Sequence, residues 1–508
     1  MIARWLLASL LIVLLPVAIS AEVAYPTGRA PFNLDYQLAY QHAISSGQLN
    51  QLPTVGPFYF GTVKQLYPHD KLSPSMRLIE TTDEHTVRLF SMTSERYRVQ
   101  RHTSGQDYPL LIGGLRYQPS ANFGTLVLFN LDREKALDPD YSGKKWRGLA
   151  GDIETAAIYF KKGDLGLTLG RQRVFWGPQP VNLILSETAE PLDLLSATYR
   201  KGRLGLNFIF ARLDGSRPDS LDFVRFPDRT FQDNRYLVGH RLDLQLHRSF
   251  RIGLFETMIF GGPGRPPELY YLNPLQFFHS AQLNDNVNDN TILGLDFTFI
   301  PWNRISLYGQ LMIDDFQIDR RAQGDEEPDE IGIMAGLYRA GSPGRWSPDL
   351  KLEYVRITNR TFHQVDPRNR YLFRNKLIGH PLGPDADSLS LMMRLWPSVR
   401  QSIELEIAHT RHGEGSIYKS WDSPWAEIQG DYVEPFPTGV VEKSTVVAAR
   451  YRGYLPISKY ASEHVFVSLE GRYGSMKNQG NIRGDDTTIA ELNIAISWIG
   501  FMQVGLEE

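Results

Sequence analysis

Residues 401–412 read QSIELEIAHTRH, and their alternation decides the fold. Ile403, Leu405 and Ile407 fall on one side of an extended chain and Glu404 and Glu406 on the other, because successive strand side chains face opposite ways. The pattern returns in 236–248, where Val238, Leu242, Leu244 and Leu246 oppose Arg241, Asp243, Gln245 and His247. It returns again in 291–299, where Leu293, Leu295, Phe297 and Phe299 oppose Asp296 and Thr298. A soluble β-sandwich also alternates, but its strands usually run to about 5–6 residues. Many segments here reach about ten to thirteen, enough for a tilted strand to cross a bilayer.

Eighteen such segments are read along the chain, from 85–101 to 489–501, and the links between them alternate in length. Tight links include KKGD (161–164), RKGR (200–203), the join at Ser249 and IPWNR (300–304). Between them lie long stretches such as 132–152, 214–235, 261–289, 361–386 and 413–443. Short turns at one end and long loops at the other are the habit of outer-membrane barrels, whose short turns face the periplasm. The expected fold is an all-β transmembrane barrel of about 18 antiparallel strands with a small helical N-terminal region. Closure has a physical motive, since a sheet edge in hydrocarbon leaves backbone N–H and C=O groups without partners. Tyr159, Phe160, Trp302, Tyr308 and Trp396 lie near predicted strand ends, where interfacial aromatic girdles form.

The N-terminus agrees with export. Met1–Arg4 is a short basic start, WLLASLLIVLLPV (5–17) is an apolar core, and Ala18, Ser20 and Ala21 are small. That core is too short for a spanning helix, so residues 1–21 are read as a removable signal peptide. The chain has no cysteine, which excludes disulfide and thiol chemistry, and its net charge of −3 argues against nucleic acid as a partner. Residues 22–83 do not alternate cleanly. In LDYQLAYQHAISSGQL (34–49), Leu34, Leu38 and Ile44 are at helical spacing before a Gly47 stop. This mainly helical region is a plug for the lumen or a periplasmic tail, and residues 84–508 form the barrel.

Several motifs resemble the Wzi family of capsule assembly proteins. They are LGRQRVFWGP (169–178), NLILSE (182–187), GHRLD (239–243), YLNP (271–274) and GHPLGP (379–384). The resemblance spans most of the chain in order, and its first motif is the most specific. It implies an eighteen-stranded outer-membrane barrel, occluded by helical elements, that acts as a surface lectin in capsule assembly and is not the export channel. One departure is the end of the chain, Gly505-Leu506-Glu507-Glu508, where such barrels commonly carry an aromatic residue; Trp498 and Phe501 are the nearest.

Polysaccharide recognition asks for flat aromatic faces that stack on sugar rings, with arginine and amide groups that bond hydroxyls or uronic carboxylates. The long loops supply candidate sets: Trp176, Asn182 and Glu187; Tyr270, Tyr271 and Asn273; Trp421, Trp425 and Tyr432. The plain reading of Asn273-Pro274 and Gly383-Pro384 is turn chemistry. No GxSxG elbow or HExxH helix occurs, and the acidic GDEEPDE (324–330) reads as a solvated loop rather than a Ca²⁺ site. The expected protein is non-catalytic, without cofactor or metal. Its partners are outer-membrane lipid and capsular or other surface polysaccharide. The alternatives are a porin-like channel for sugars or anions and, less favoured, a membrane-embedded hydrolase.

Arg171, Arg173, Arg241, Asp243 and Glu256 sit on predicted strands and are read as a structural charge network in the lumen. A charge aimed at lipid near the midplane costs about 2–4 kcal/mol. The first two arginines strain this reading, because Leu165, Leu167 and Leu169 share their nominal face. They stand either at the extracellular rim or behind a bulge near Gly170 that turns them inward; the bulge is the favoured expectation.

Overall fold

The computed structural model describes residues 32–47, 54–56, 76, 86–101, 105–226, 233–280, 289–315, 326–428, 432–456 and 464–505. The expected signal peptide (1–21) and most of the following N-terminal region lie outside the described residues. One sheet holds twenty hydrogen-bonded strands. Two of these, Gln106–Asp107 and Lys145–Trp146, are two-residue ladders in loops, which leaves eighteen that build the wall.

The wall strands are β1 (Thr86–Gln100), β2 (Leu110–Ser120), β3 (Phe123–Asp132), β4 (Leu149–Lys162), β5 (Leu165–Gln172) and β6 (Leu192–Lys201). They continue as β7 (Leu204–Leu213), β8 (Asp233–His247), β9 (Phe250–Pro263), β10 (Asn290–Trp302), β11 (Ile305–Asp315) and β12 (Glu330–Arg339). The last six are β13 (Asp349–Ile357), β14 (Ala386–Ser398), β15 (Gln401–His412), β16 (Glu442–Pro456), β17 (His464–Lys477) and β18 (Thr487–Gly505). Each pairs antiparallel with the next, and β1 closes on β18 from Thr86↔Gly505 to Gln100↔Glu491. Among the described residues, then, the sheet has no free long edge.

Alternation sets the two faces. Ile403, Leu405 and Ile407 of β15 are 48, 47 and 46 % exposed on the outer, lipid-facing side, whereas Glu404 is buried in the lumen. There the Arg450 guanidinium bridges Glu404 and Glu470, at 2.6 and 2.9 Å. Arg394 also donates to Glu404. These side chains satisfy one another inside the wall, the placement expected of charge in a membrane barrel. Of the expected girdle residues, Trp302 is exposed at the short-turn end, but Tyr159, Tyr308 and Trp396 are buried in the lumen. The Tyr159 hydroxyl donates to Gln172, Tyr308 to Glu353, and the Trp396 indole to Asp349. Inside a filled barrel the polar handle of an aromatic finds a protein partner, so nearness to a strand end does not fix its face.

Thr86 and Gly505 share one end with the short turns at 121–122, 163–164, 202–203, 248–249, 303–304 and 399–400. That is the periplasmic end. Helix α1 (Phe32–Ser46) lies just inside it. The helix is buried on most sides, with Leu34, Leu38, Ala39, Ala43 and Ile44 packed away from solvent together with the polar Asp35 and Gln41, as suits a helix enclosed by protein. Gln41 Nε2 donates to Gly341 O at 2.7 Å, and the Tyr40 ring meets Tyr338 edge-on at 5.2 Å. Gly47, at φ +71°, ends the helix where its N–H reaches Ile44 O.

Two long loops complete the filling. Residues 173–191 fold inward as a hairpin in which Trp176 bridges both Leu185 and Val55. Gly177 adopts φ +143°, and a Cβ there would stand 2.2 Å from Asn182 Oδ1, so the Gly-Pro break is what lets the chain turn into the lumen. Residues 358–385 lie against this hairpin: Ser186 N–H donates to Ile378 O and His380 N–H to Leu183 O. Trp176, Leu183, Ile184, Leu185, Phe362, Tyr371 and Ile378 fill the interior almost without solvent contact.

Candidate functional site

The five expected lumen charges divide among four places. Arg241 and Asp243 are in the lumen as expected. The Arg241 guanidinium is buried between Asp243 Oδ1 at 2.7 Å and Asp296 Oδ1 at 2.9 Å. Asp243 also accepts from Thr54 and Asn207, which ties the segment before β1 to the wall.

Arg171 corrects the expectation. The β4–β5 pairing runs without a shift through Ala157↔Gly170 and Ala156↔Arg171, so no bulge turns it inward. It stays on the outer face at the extracellular rim and takes Asp193 of β6 bidentately, at 2.7 and 2.6 Å. Gly170 serves a different need: at φ +131°, a Cβ would stand 2.2 Å from Ala156 O. The register shift lies in the neighbouring strand, between Leu128↔Thr155 and Phe129↔Ile153. It buries Glu154, which pairs with Arg173 at the root of the inward hairpin. Arg173 also donates to the carbonyls of Glu187 and Ala189.

Glu256 is a second correction. Its register partners are His240 and Leu293, and that row faces outward while Thr257 and Phe255 face the lumen. Glu256 is nevertheless buried, because residues 264–280 fold down over the outside of the wall. Phe278 N–H and His279 N–H both donate to its carboxylate, at 2.9 and 2.8 Å.

The candidate ligand residues also separate. Trp176 and Asn182 are fully buried in the inward hairpin, where no polymer reaches them, and Glu187 is half-buried at its base. Tyr271 is buried against Phe260 on the outer flap, with Tyr270 and Asn273 exposed beside it. These residues are withdrawn from a shared sugar site, because the loops that carry them fold inward or outward instead of meeting above the barrel. Trp421, Trp425 and Tyr432 do come together on the extracellular face.

Trp421 and Tyr432 line a cleft of about 430 Å³ between the loops 358–385 and 413–441, and Trp425 packs beside it. The Trp425 ring meets Trp421 edge-on at 6.4 Å and Tyr432 at 6.4 Å. Arg360 stands at the centre, its guanidinium 4.6 Å from the Trp425 ring. Glu434 accepts from its Nη1 at 2.7 Å, and Asp422 from its Nε at 3.2 Å. Burial opposes this charge, but the carboxylates of Glu434 and Asp422 hold the Arg360 pKa above its usual value. Arg360 and Phe362 both adopt left-handed backbone, at φ +64° and +73°. Such strain in non-glycine residues persists where the surroundings over-determine it. Here Phe362 N–H bonds Asp314 and its ring stacks on Tyr371 at 5.6 Å.

The floor is equally fixed. Asp385 accepts from Gly415 N–H and Thr438 N–H, both at 2.9 Å, which joins the two loops. His363 Nε2 lies 2.6 Å from Lys419 O, so it carries the proton and donates. Burial, then the nearby Arg370, lower the His363 pKa to about 4, and the ring is neutral at physiological pH. Glu414, Lys419 and Asp422 remain exposed at the lip. The arrangement offers aromatic faces beside charged donors and acceptors. Among the described residues no group of three or more His, Asp or Glu side chains is placed to hold a metal. Reading the sequence for aromatic sets missed Arg360, His363 and Glu434. The signal for Arg360 was its position: Asn359-Arg360 comes one residue after the end of β13, at the root of the loop.

A family model described as capsule assembly protein Wzi matches residues 115–489. The structure of Wzi from Escherichia coli, an outer-membrane carbohydrate-binding β-barrel involved in group 1 capsule assembly, is similar at TM-score 0.58 and 13 % identity. That match covers 97 % of this chain and 100 % of that one. OccD3 (OpdP) of Pseudomonas aeruginosa follows at TM-score 0.45 and 12 % identity, over 84 % of this chain and 92 % of that one. No curated protein matches the chain in sequence.

Proposed function

Because the chain belongs to the capsule assembly protein Wzi family, we propose that this outer-membrane barrel binds capsular or other surface polysaccharide without catalysis and so supports capsule attachment. The observation that carries the reading is the cleft of Trp421, Tyr432 and Arg360, braced by Trp425, which opens outward above a filled lumen. Its volume lies in the range of ligand clefts, and both loops that form it are braced. A sugar ring seated in the cleft meets the Asp422 and Glu434 oxygens as acceptors for its hydroxyls. The porin-like alternative is disfavoured by the two loops that pack through the interior.

The test is direct binding of purified capsular polysaccharide to the full chain, with a capsule-retention assay on a deletion strain complemented by parent or Trp425→Ala. Saturable binding weakened by Trp425→Ala, with loss of retained capsule, is the expected result. Absence of both effects overturns the proposal. In planar bilayers the same protein is expected to give no stepwise conductance, and regular steps would favour the channel.

A further inference from the structure

The register row that contains Glu256 runs around the outside of the wall. Its partners in order are Leu167, Ala197, Phe208, His240, Glu256, Leu293, Ile313 and Ile331. Every member except His240 and Glu256 is apolar, as a lipid belt requires. One register step towards the periplasm is Leu254, exposed on the same face. The two polar residues therefore stand in the belt itself, joined by a His240 Nε2–Glu256 Oε2 contact of 3.1 Å.

Residues 264–280 sheathe them. Besides the two N–H donors to Glu256, the Phe278 ring packs 4.6 Å from His240. Val238, Met258, Phe260, Tyr271 and Phe278 form a separate apolar cluster on the outside of the barrel. Arg265 secures the upper end, bidentate to Asp289 at 2.6 and 3.0 Å. The exposed side presents large apolar side chains beside Asn273 and His279: Leu269 is 80 % and Leu275 76 % exposed, with Phe277 and Tyr270 beside them. Large aliphatic side chains on a braced loop, level with the lipid belt, are out of place in water but suited to hydrocarbon.

We infer that residues 264–280 form a lipid-facing flap, in which Leu269, Leu275 and Phe277 contact outer-leaflet acyl chains while the inner side covers the His240–Glu256 pair. The flap restores an apolar surface where the wall carries charge. It is continuous with the barrel's lipid belt and independent of the glycan cleft.

The chain has no cysteine, so one introduced thiol gives a single labelling site. Leu269→Cys and Leu275→Cys are made separately in the full chain, spin-labelled and reconstituted into phospholipid vesicles. Leu254→Cys serves as the belt reference and the exposed Val433→Cys as the aqueous one. Variants are used after they show the parent's heat-modifiable folded band. The ratio of collision with oxygen to collision with a water-soluble nickel chelate is expected to match Leu254→Cys at both flap positions and to exceed Val433→Cys several-fold. A ratio equal to that of Val433→Cys at both positions, or shielding from both reagents, overturns the proposal.

Discussion

The Arg360 guanidinium, which lines the extracellular cleft, lies 4.6 Å from the centre of the Trp425 ring. The Trp425 ring thus holds the buried Arg360, and through it Asp422 and Glu434, in place at the cleft. A cation–π contact of this kind contributes about 0.5–2 kcal/mol, and the ring also supplies stacking area. Trp425→Ala is therefore expected to weaken polysaccharide binding roughly tenfold, which corresponds to about 1.4 kcal/mol. Calorimetric titration checks this, and unchanged affinity counts against the cleft.

Arg241 supports a prediction about stability. Its side chain is fully buried between Asp243 and Asp296. Removing one member of such a cluster leaves an uncompensated buried charge, which costs about 3–5 kcal/mol. Arg241→Met is expected to lower the temperature at which the folded band converts to the unfolded one on a gel. A triple variant that also carries Asp243→Asn and Asp296→Asn should recover part of the loss.

The histidines of the inward loop set a pH dependence. Burial, then Arg370, lower the His363 pKa to about 4, with Asp222 the facing carboxylate. Burial lowers the His380 pKa to about 4 also, opposed by Glu353 and aided by Lys351. Both rings are neutral in the folded chain, whereas an unfolded histidine takes a proton near pH 6.5. Between those values the unfolded state binds more protons, so stability falls as pH drops from about 6.5 to about 4 and levels off below. Thermal melts across this window check the slope. His380→Gln is expected to flatten part of it.

Arg173 ties the inward hairpin at its root through Glu154 and the carbonyls of Glu187 and Ala189. Arg173→Ala removes all three attachments. The expected outcome is irregular conductance in planar bilayers that the parent lacks. A silent trace would place the closure in the loop 358–385 alone.

The wall was legible in the sequence because its rule is local. Period-two alternation in 401–412 needs only the chain itself, and Ile403, Leu405 and Ile407 all face lipid as read. Loop direction is not local. Trp176 looked like an exposed loop tryptophan, yet its burial depends on Val55 and Gly239, which are distant in the chain, as well as on Leu185 of its own hairpin. Glu256 shows the same limit from the other side. In FETMIFG (255–261) both faces are mostly apolar, because a plug covers one and the flap the other, and alternation then carries no sign. Arg171 was ambiguous for a simpler reason: a rim and a bulge each relieve a charge on the lipid face. The observed bulge lies one strand away, in β4, where the charges that reveal it are Glu154 and Arg173.

The ladder between β1 and β18 joins residues from opposite ends of the chain, Thr86 with Gly505. Membrane insertion is for that reason indivisible. A chain cut before Thr487 does not give a smaller pore; it gives two naked strand edges, on β1 and β17, whose unpaired backbone groups each cost several kcal/mol in hydrocarbon. The terminal strand thus acts as a checkpoint: only a chain delivered whole acquires a surface that lipid accepts.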